Sequence, residues 1–380
     1  SGYKEQMVKY VWQHKAWPDF TWDSDTLITP LSRVRFEQGK LCAQAEWLGL
    51  EAQTEVLVNE AFATSAIEGE KLNKESIRSS VARRLGLPSA GLSPTERHVD
   101  GLVEMLIDAT RYYEKQLTRA RLWAWQAALF PTGYSGIRQI AVGAWRNTTE
   151  PMQVVSGPIG REKVHYEAPP SGAVPKEMTA FLDWWHKSPE DLDGVLRAGV
   201  AHFWFVSIHP FEDGNGRLAR ALTDMALAAS DNNASRLYSM SAQIMAERNS
   251  YYEHLNDAQK GNGEITAWLC WFCECLHRSM GSAEHEIQAA LAKSRFWQKN
   301  NMTSVNDRQR KILNRLLDTG QGRFEGGMNN RKYVSLHKVS PATAKRELTD
   351  LFEKQLLVRN PGRGRSTSYD IDWEKYVFEK

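Results

Sequence analysis

Cysteine is scarce in this chain and badly placed for cross-linking: of four residues, three bunch at Cys270, Cys273 and Cys275. A disulfide-built scaffold is thereby excluded. On a helix, Cys270, Cys273 and His277 would share a face as metal ligands do, but the run from Ile265 to Phe272 is apolar and no second Cys/His pair stands at finger-like spacing. Reduced cysteines acting as small core residues fit that setting better. Also missing is any apolar run near the roughly 18 to 20 residues that a membrane-spanning helix needs. No secretory leader is visible, so a soluble, cytoplasmic protein with no membrane partner is expected. Ser1-Gly2 reads as the scar of a cleaved tag, which would shift the native numbering and leave any removed leader out of sight. Charge of one sign is lacking too, and a net +2 names no partner. No internal repeat or long biased segment interrupts the chain.

What is present suits a large buried core: 380 residues, 42% apolar and 25% charged, enough for two or three domains. Aromatic residues Trp12, Trp17, Phe20 and Trp22 precede a helical pattern through Leu27, Leu31 and Val34. A second pattern runs from Glu51 to about Ile67, with Gly69 where a C-terminal cap is expected. Ser93-Pro94-Thr95-Glu96 predicts a helix start with Ser93 as cap and Pro94 in the first turn, and Val99, Leu102, Val103 and Leu106 then supply a buried stripe. Between Gln139 and Ala168 the texture turns β-prone. Gln153-Val154-Val155 and Lys163-Val164-His165-Tyr166, separated by a turn from Ser156 to Gly160, predict a hairpin closed by Pro169-Pro170. Helical patterns return over about 174–187, 191–208, 217–229, 243–255 and 265–296.

Chemistry concentrates between Ile208 and Arg220. An apolar helix through Val200, Phe203, Trp204 and Ile208 delivers His209 at its end; Pro210 forces the chain out of helix, and Asp213-Gly214-Asn215-Gly216 makes a tight turn. A new helix starts near Gly216. Glycines on both sides of Asn215 permit positive φ and close backbone approach, so amides at the helix N-terminus can converge on an anion. Asp213 is a hard oxygen ligand suited to Mg²⁺ against phosphate. Arg217 and Arg220, three apart, reach phosphate oxygens across one helical turn.

His209-Pro210-Phe211-Glu212-Asp213-Gly214-Asn215-Gly216-Arg217-Leu218-Ala219-Arg220 resembles the signature of the Fic family, His-Pro-Phe-x-Asp/Glu-Gly-Asn-Gly-Arg-x-x-Arg, and meets every fixed position. The resemblance extends in segment order over about Gln6 to Lys260. It implies a mainly α fold: a Fic-type helical domain with a β-hairpin flap, preceded by an N-terminal helical region. It also implies transfer of AMP from ATP to a Ser, Thr or Tyr hydroxyl of a protein, the chain itself included. His209 would be the general base, Asp213 the Mg²⁺ ligand, and Gly214, Asn215 and Gly216 the phosphate binders. Arg217 and Arg220 would hold the phosphate tail, and Phe211 would anchor the loop.

Further roles follow from the same resemblance. The flap, Val164, His165 and Tyr166 on its second strand, would align the target as an added strand at the nucleotide site. Tyr251, Tyr252 and Gln259 would form the adenine pocket. Thr64-Ser65-Ala66-Ile67-Glu68-Gly69 resembles the family's inhibitory motif, Ser/Thr-x-x-x-Glu-Gly/Asn, so that Thr64, Glu68 and Gly69 would restrain the site through a pairing of Glu68 with Arg220.

The chain is thus read as 1–92, an N-terminal region with the inhibitory helix, 93–299, a catalytic domain, and 300–380, a small module. The module's helices are expected over about 307–318, 329–336 and 341–354, followed by a basic turn from Arg359 to Arg365 and a strand at Tyr369-Asp370-Ile371. With roughly 16 Lys/Arg against 10 Asp/Glu, it carries more than the chain's whole net positive charge. It resembles a winged helix, in which the helix from Ser340 could enter a DNA major groove and Arg359 to Arg365 would be the wing. Such modules also serve protein docking and homodimer formation. Two rival readings stand beside AMP transfer: a DNA-binding regulator whose Fic domain senses nucleotide or modifies itself, and a site that removes AMP with Glu68 orienting a water.

Overall fold

The computed structural model describes residues 9–45, 50–87, 95–156, 161, 163–188, 192–233, 236–320, 322, 324–361 and 367–377. They divide into two compact units, Ser1–Met280 and Gly281–Lys380. The first unit contains α1 (Ser24–Ala45), α2 (Leu50–Ile67), α3 (Lys74–Arg84), α4 (Arg97–Arg111) and α5 (Arg119–Leu129). Two antiparallel hairpins follow, β1–β2 (Tyr134–Ser135, Arg138–Gln139) and β3–β4 (Gln153–Ser156, Lys163–Glu167). Then come α6 (Val174–Lys187), α7 (Gly194–Ile208), α8 (Asn215–Asp231), α9 (Met240–Ala246), α10 (Arg248–Gln259) and α11 (Thr266–Lys299), whose residues from Gly281 on belong to the second unit. The fold is mainly α. No helix among the described residues is long and apolar enough to cross a membrane.

Placement of the core follows from α7, where between Val195 and Ile208 only Arg197 escapes full burial. A helix apolar all round must be enclosed by others. Helix α8 packs along it, and α11 closes on it where Gly199 leaves room: a Cβ there would stand 2.8 Å from Leu269. The flap hairpin pairs Val154 with Tyr166 and carries a bulge before Val155. That register turns Tyr166 into the core, edge-on to Tyr10 at 5.3 Å.

Several sequence expectations shift. Helix α4 begins at Arg97 with Glu96 as its cap residue, not at Ser93; Thr95 instead donates its hydroxyl to Asp100 at 2.9 Å, while Ser93 and Pro94 lie outside the described residues. The pattern over 243–255 is two helices, broken at Glu247, whose φ of −111° and ψ of 27° leave the helical region and whose carboxylate is taken by Arg278 at 2.6 Å. Helix α3 was hidden because its inner face is serine, Ser76, Ser79 and Ser80, beside Ile77 and Val81. Helix α5 carried a usable signal in Leu122, Trp125, Gln126 and Leu129, all buried at helical spacing. The turn residues 157–160 lie outside the described residues.

In the second unit α12 (Asp307–Thr319), α13 (Asn330–His337) and α14 (Pro341–Glu353) precede a ribbon of β5 (Val358–Arg359) and β6 (Tyr369–Asp370) and a short α15 (Glu374–Val377). Caps appear where the sequence offers them, Ser340 accepting the Thr343 amide with Pro341 in the first turn of α14. Glu347 is buried and accepts from Arg308, from Tyr333 at 2.5 Å and from Asn306 at 3.0 Å. The Arg308 hydrogen bond holds that carboxyl down to about 2. Residues 362–366, with most of the expected wing including Arg363, lie outside the described residues.

Helices α4 and α5 meet at Gly101, where an added Cβ would stand 1.8 Å from the Ala128 carbonyl oxygen. Backbone cannot yield as a side chain can. Gly101→Ala is therefore expected to destabilise the first unit by about 1–3 kcal/mol or more, read as a lowered denaturant midpoint; an unchanged midpoint would contradict this packing.

Candidate functional site: a helix end facing a helix start

Helix α7 ends because His209 adopts a left-handed conformation, φ 51° and ψ 59°, ahead of Pro210. A helix end leaves carbonyls without intrahelical donors, and here each finds another. Val206 takes the His209 Nδ1–H at 3.2 Å, and Ser207 takes the Tyr166 hydroxyl at 2.8 Å. Ile208 and His209 take the Arg146 guanidinium, the latter at 2.6 Å from Nε, and Pro210 takes the Arg146 amide at 2.9 Å. A carbonyl can only accept, so Nδ1 carries the proton. The lone pair is left on Nε2.

Burial pushes the imidazole down to about 4; the Val206 carbonyl works against that, the Arg146 cation adds to it, and the Glu68 and Asp213 carboxylates oppose it. His209 is neutral at physiological pH. The loop beyond is pinned by Phe211, buried against Trp145 at 4.9 Å, and by Asn215, whose side chain accepts from the Phe211 amide at 2.9 Å and donates to its carbonyl at 2.8 Å. Asn215 thus spends its side chain on closing the loop.

Gly214, at φ 90°, turns the chain into α8. The first-turn amides of α8 then have no carbonyl four residues back to bond. Gly216 is helical rather than left-handed, so the freedom expected of both glycines is needed at only one; at Gly216 what matters is space. A Cβ there would stand 2.1 Å from Glu68 Oε1.

That carboxylate belongs to the end of α2. Arg220 donates to Glu68 at 2.7 Å, to the Thr64 hydroxyl at 2.7 Å and to the Thr64 carbonyl at 2.9 Å. Burial works against the Arg220 charge, but the Glu68 carboxylate together with the Tyr251 and Tyr252 hydroxyls outweighs it and holds the guanidinium above its usual range. Gly69 turns the chain with φ 86°, and Glu70 then reaches Arg217 at 3.1 Å. Glu68 and Glu70 therefore occupy Arg220 and Arg217 together. Arg217 lies over the Phe130 ring at 5.0 Å, and its Nε is buried with no acceptor among the described residues.

Asp213 stands half-buried beside these groups, accepting from the Gly214 amide at 2.6 Å and from the Ser135 hydroxyl. Val164 and His165 are half-buried on β4, His165 sharing a hydrogen bond with Ser156. Tyr166 faces the core. Tyr251 is also buried, its hydroxyl 2.9 Å from His202 Nε2, whereas Tyr252 keeps 37% of its surface open. Gln259 is buried and donates to Ser207 at 3.3 Å. Of the cysteines, Cys273 and Cys275 are buried, and burial raises the Cys273 thiol to about 12.

His209, the 213–220 segment, Thr64 and Glu68 thus come together from two separate stretches, while Tyr166 and Tyr251 support from behind. Sequence reasoning missed Glu70, Ser135 and Arg146. Glu70 had a signal: two acids flanking Gly69 match two arginines one helical turn apart. Arg146 had none, because its partners are backbone carbonyls.

Residues 116–227 match the family model described as Fic/DOC family. That stretch of the chain is a Fic/DOC-type domain. Residues 10–87, which contain the inhibitory-type motif, match a model described as a domain of unknown function, DUF4172. Protein adenylyltransferase Fic of Nematostella vectensis is 35% identical over 106 residues, 28% of this chain and 23% of that protein. Protein adenylyltransferase fic-1 of Caenorhabditis elegans is 38% identical over 58 residues, 15% of this chain and 11% of that protein. The chain thus spans less than a quarter of either curated relative's length. A Fic family protein from Desulfovibrio desulfuricans G20 shares the fold, with a TM-score of 0.54 at 19% identity, covering 91% of this chain and 95% of that one.

Two imidazoles in the Fic domain are held neutral, His209 near 4 and His202 near 3, against an ordinary value of 6.5. Their folded values are depressed, so the stability they contribute is full above about pH 6.5 and is lost as pH falls toward those lower values. At about pH 5, ring-nitrogen NMR is expected to show both neutral. A doubly protonated His209 ring at that pH, assigned by its loss in His209→Gln, would contradict the burial described.

Proposed function

We propose that the chain transfers AMP from ATP to a hydroxyl of a protein side chain, its own included, and that Thr64, Glu68 and Gly69 restrain the reaction. One observation carries the reading: a neutral histidine with its Nε2 lone pair available stands beside a helix start whose two arginines are held by carboxylates of the same chain. Substrate phosphate would replace those carboxylates.

In the reaction, the target hydroxyl oxygen attacks the α-phosphorus of ATP, the bond from that phosphorus to the bridging oxygen breaks, and pyrophosphate leaves. The hydroxyl proton passes to His209 Nε2. Such transfer depends on positioning and on charge neutralisation more than on covalent help. The first-turn amides of α8 and the buried Nε of Arg217 supply donors for the phosphates. A base held near 4 is weak, but the negative triphosphate opposes that depression when it binds. Tyr252 offers an open ring for adenine, with Tyr251 behind it at 5.0 Å and Gln259 on the same helix.

Asp213 fits Mg²⁺: it is a single half-exposed carboxylate with no second acid forming a cage among the described residues, and Mg²⁺ takes one or two carboxylates plus phosphate and water. Such an ion would neutralise charge on the phosphates. Val164 and His165, at the outer part of β4, suit a target segment added as a strand. On this reading, 1–92 restrains, 93–299 catalyses and 300–380 forms a winged helix.

Labelled AMP on the enzyme or on lysate proteins, read by mass spectrometry, tests the proposal. Glu68→Gly is expected to raise labelling above wild type, and adding His209→Ala to lower it by about 10²–10⁴. Equal labelling of wild type and Glu68→Gly rejects the restraint, and labelling that survives His209→Ala rejects the base. If Glu68→Gly instead slows removal of AMP from a labelled protein, the AMP-removing reading wins. Glu70→Gln is expected to tighten ATP binding by a few-fold only, since its carboxylate is partly solvated; calorimetry showing no change would separate Glu70 from the restraint.

The DNA reading draws on α14, which buries Ala344, Glu347, Leu348 and Leu351 and exposes Lys345 and Arg346. Lys345→Ala with Arg346→Ala is expected to weaken duplex binding and reduce its salt slope by about one to two units. Unchanged retention would favour docking or dimer formation.

A further inference from the structure

We infer that Arg146 is a positioning residue for the transfer reaction, holding His209 in its left-handed conformation and tying the flap to it through backbone carbonyls alone; the inference rests on the AMP-transfer reading of the site. Arg146 is only 2% exposed, and it makes no ion pair among the described residues. Its guanidinium donates to His209 O at 2.6 Å, to Ile208 O at 3.3 Å and to Pro169 O. Its amide donates to Pro210 O.

A buried cation without a counter-ion is expensive. Burial lowers Arg146 to about 10, yet a guanidinium still keeps its charge at neutral pH. Fold stability alone gives no reason to choose it, because neutral donors could satisfy three carbonyls. What a planar fork adds is geometry: its donors lie in fixed directions, so acceptors from Ile208, His209 and Pro169 are locked relative to one another. Two of those belong to the helix end that sets the His209 ring, and the third lies two residues past the end of β4.

Left-handed backbone at a non-glycine residue is strained, and here it is imposed where the imidazole must be aimed. Without Arg146, three carbonyls lose their donor in a buried place. His209 could then relax toward ordinary backbone angles and carry its ring away from the α8 N-terminus. The charge matters as well. The groups that act on the His209 ring are the Arg146 cation, which disfavours protonation, and the Glu68 and Asp213 carboxylates, which favour it.

The test uses the full chain in the Glu68→Gly background, with Arg146→Met and Arg146→Lys. Arg146→Met is expected to lower kcat about 10²-fold, as for a misplaced catalytic group, with KM for ATP changed by no more than a few-fold. Its His209 imidazole should titrate higher than in the parent, seen by NMR and as a shifted acid limb of the rate profile. Arg146→Lys keeps the charge and loses the fork, so kcat should fall while His209 titrates near its parent position.

An Arg146→Met protein that folds, with parental kcat or an unmoved His209 titration, overturns the inference. If Arg146→Met does not fold, parental kcat in Arg146→Lys overturns it. A parent that transfers no AMP refutes the proposed function instead, and the NMR arm still reports whether Arg146 sets the His209 ring.

Discussion

A helix cannot stop inside a protein unless its last carbonyls are given donors, and that requirement shapes the whole neighbourhood of His209. Those carbonyls go to an imidazole, a tyrosine of the flap, and a guanidinium from the segment before it. Each donor arrives from a different part of the chain. The His209 ring is thereby fixed by its own hydrogen bond to the preceding turn, which sets the tautomer as well as the direction. Loosening any donor would disturb position and protonation together.

Facing that end is a helix start with the opposite need. The first amides of α8 and its two arginines form a concentrated positive site, and the structure fills it with Glu68 and Glu70. Gly69 makes this geometry available, since its positive φ turns the chain so that neighbouring acids reach arginines one helical turn apart. Phosphate and carboxylate demand the same donors, so restraint by competition needs no distant conformational change on the proposed reading.

Much of this was legible in the residues. The apolar run of α7, the proline after His209 and the two glycines located the loop to within a residue, because Pro and Gly act through local backbone geometry. The helices over 51–67 and 174–187 were equally plain from periodicity. What escaped depended on contacts distant in sequence. Arg146 gives no local pattern, since it recognises backbone carbonyls contributed by residues about 20 to 60 positions away. Serines lining α3 escaped because buried polar side chains leave no trace in an apolar period, and the break at Glu247 escaped because its carboxylate is taken by Arg278, distant in sequence. The bracing of the loop by the Asn215 side chain also escaped, because it shows only once Phe211 is folded back against it.

At Gly216 the Glu68 carboxylate lies against α8, its oxygen already occupying the place a methyl group would take. Alanine at this position would evict Glu68 and, if the proposed site is right, crowd an incoming phosphate by the same stroke. On the proposed reading, mutational escape from self-restraint is therefore channelled: single substitutions that would free the enzyme without harming it lie in the loop at the end of α2, at Glu68 or its glycine hinge, and not in the proposed nucleotide loop. On that reading the brake can be cut without touching the engine, and a single reversion restores it.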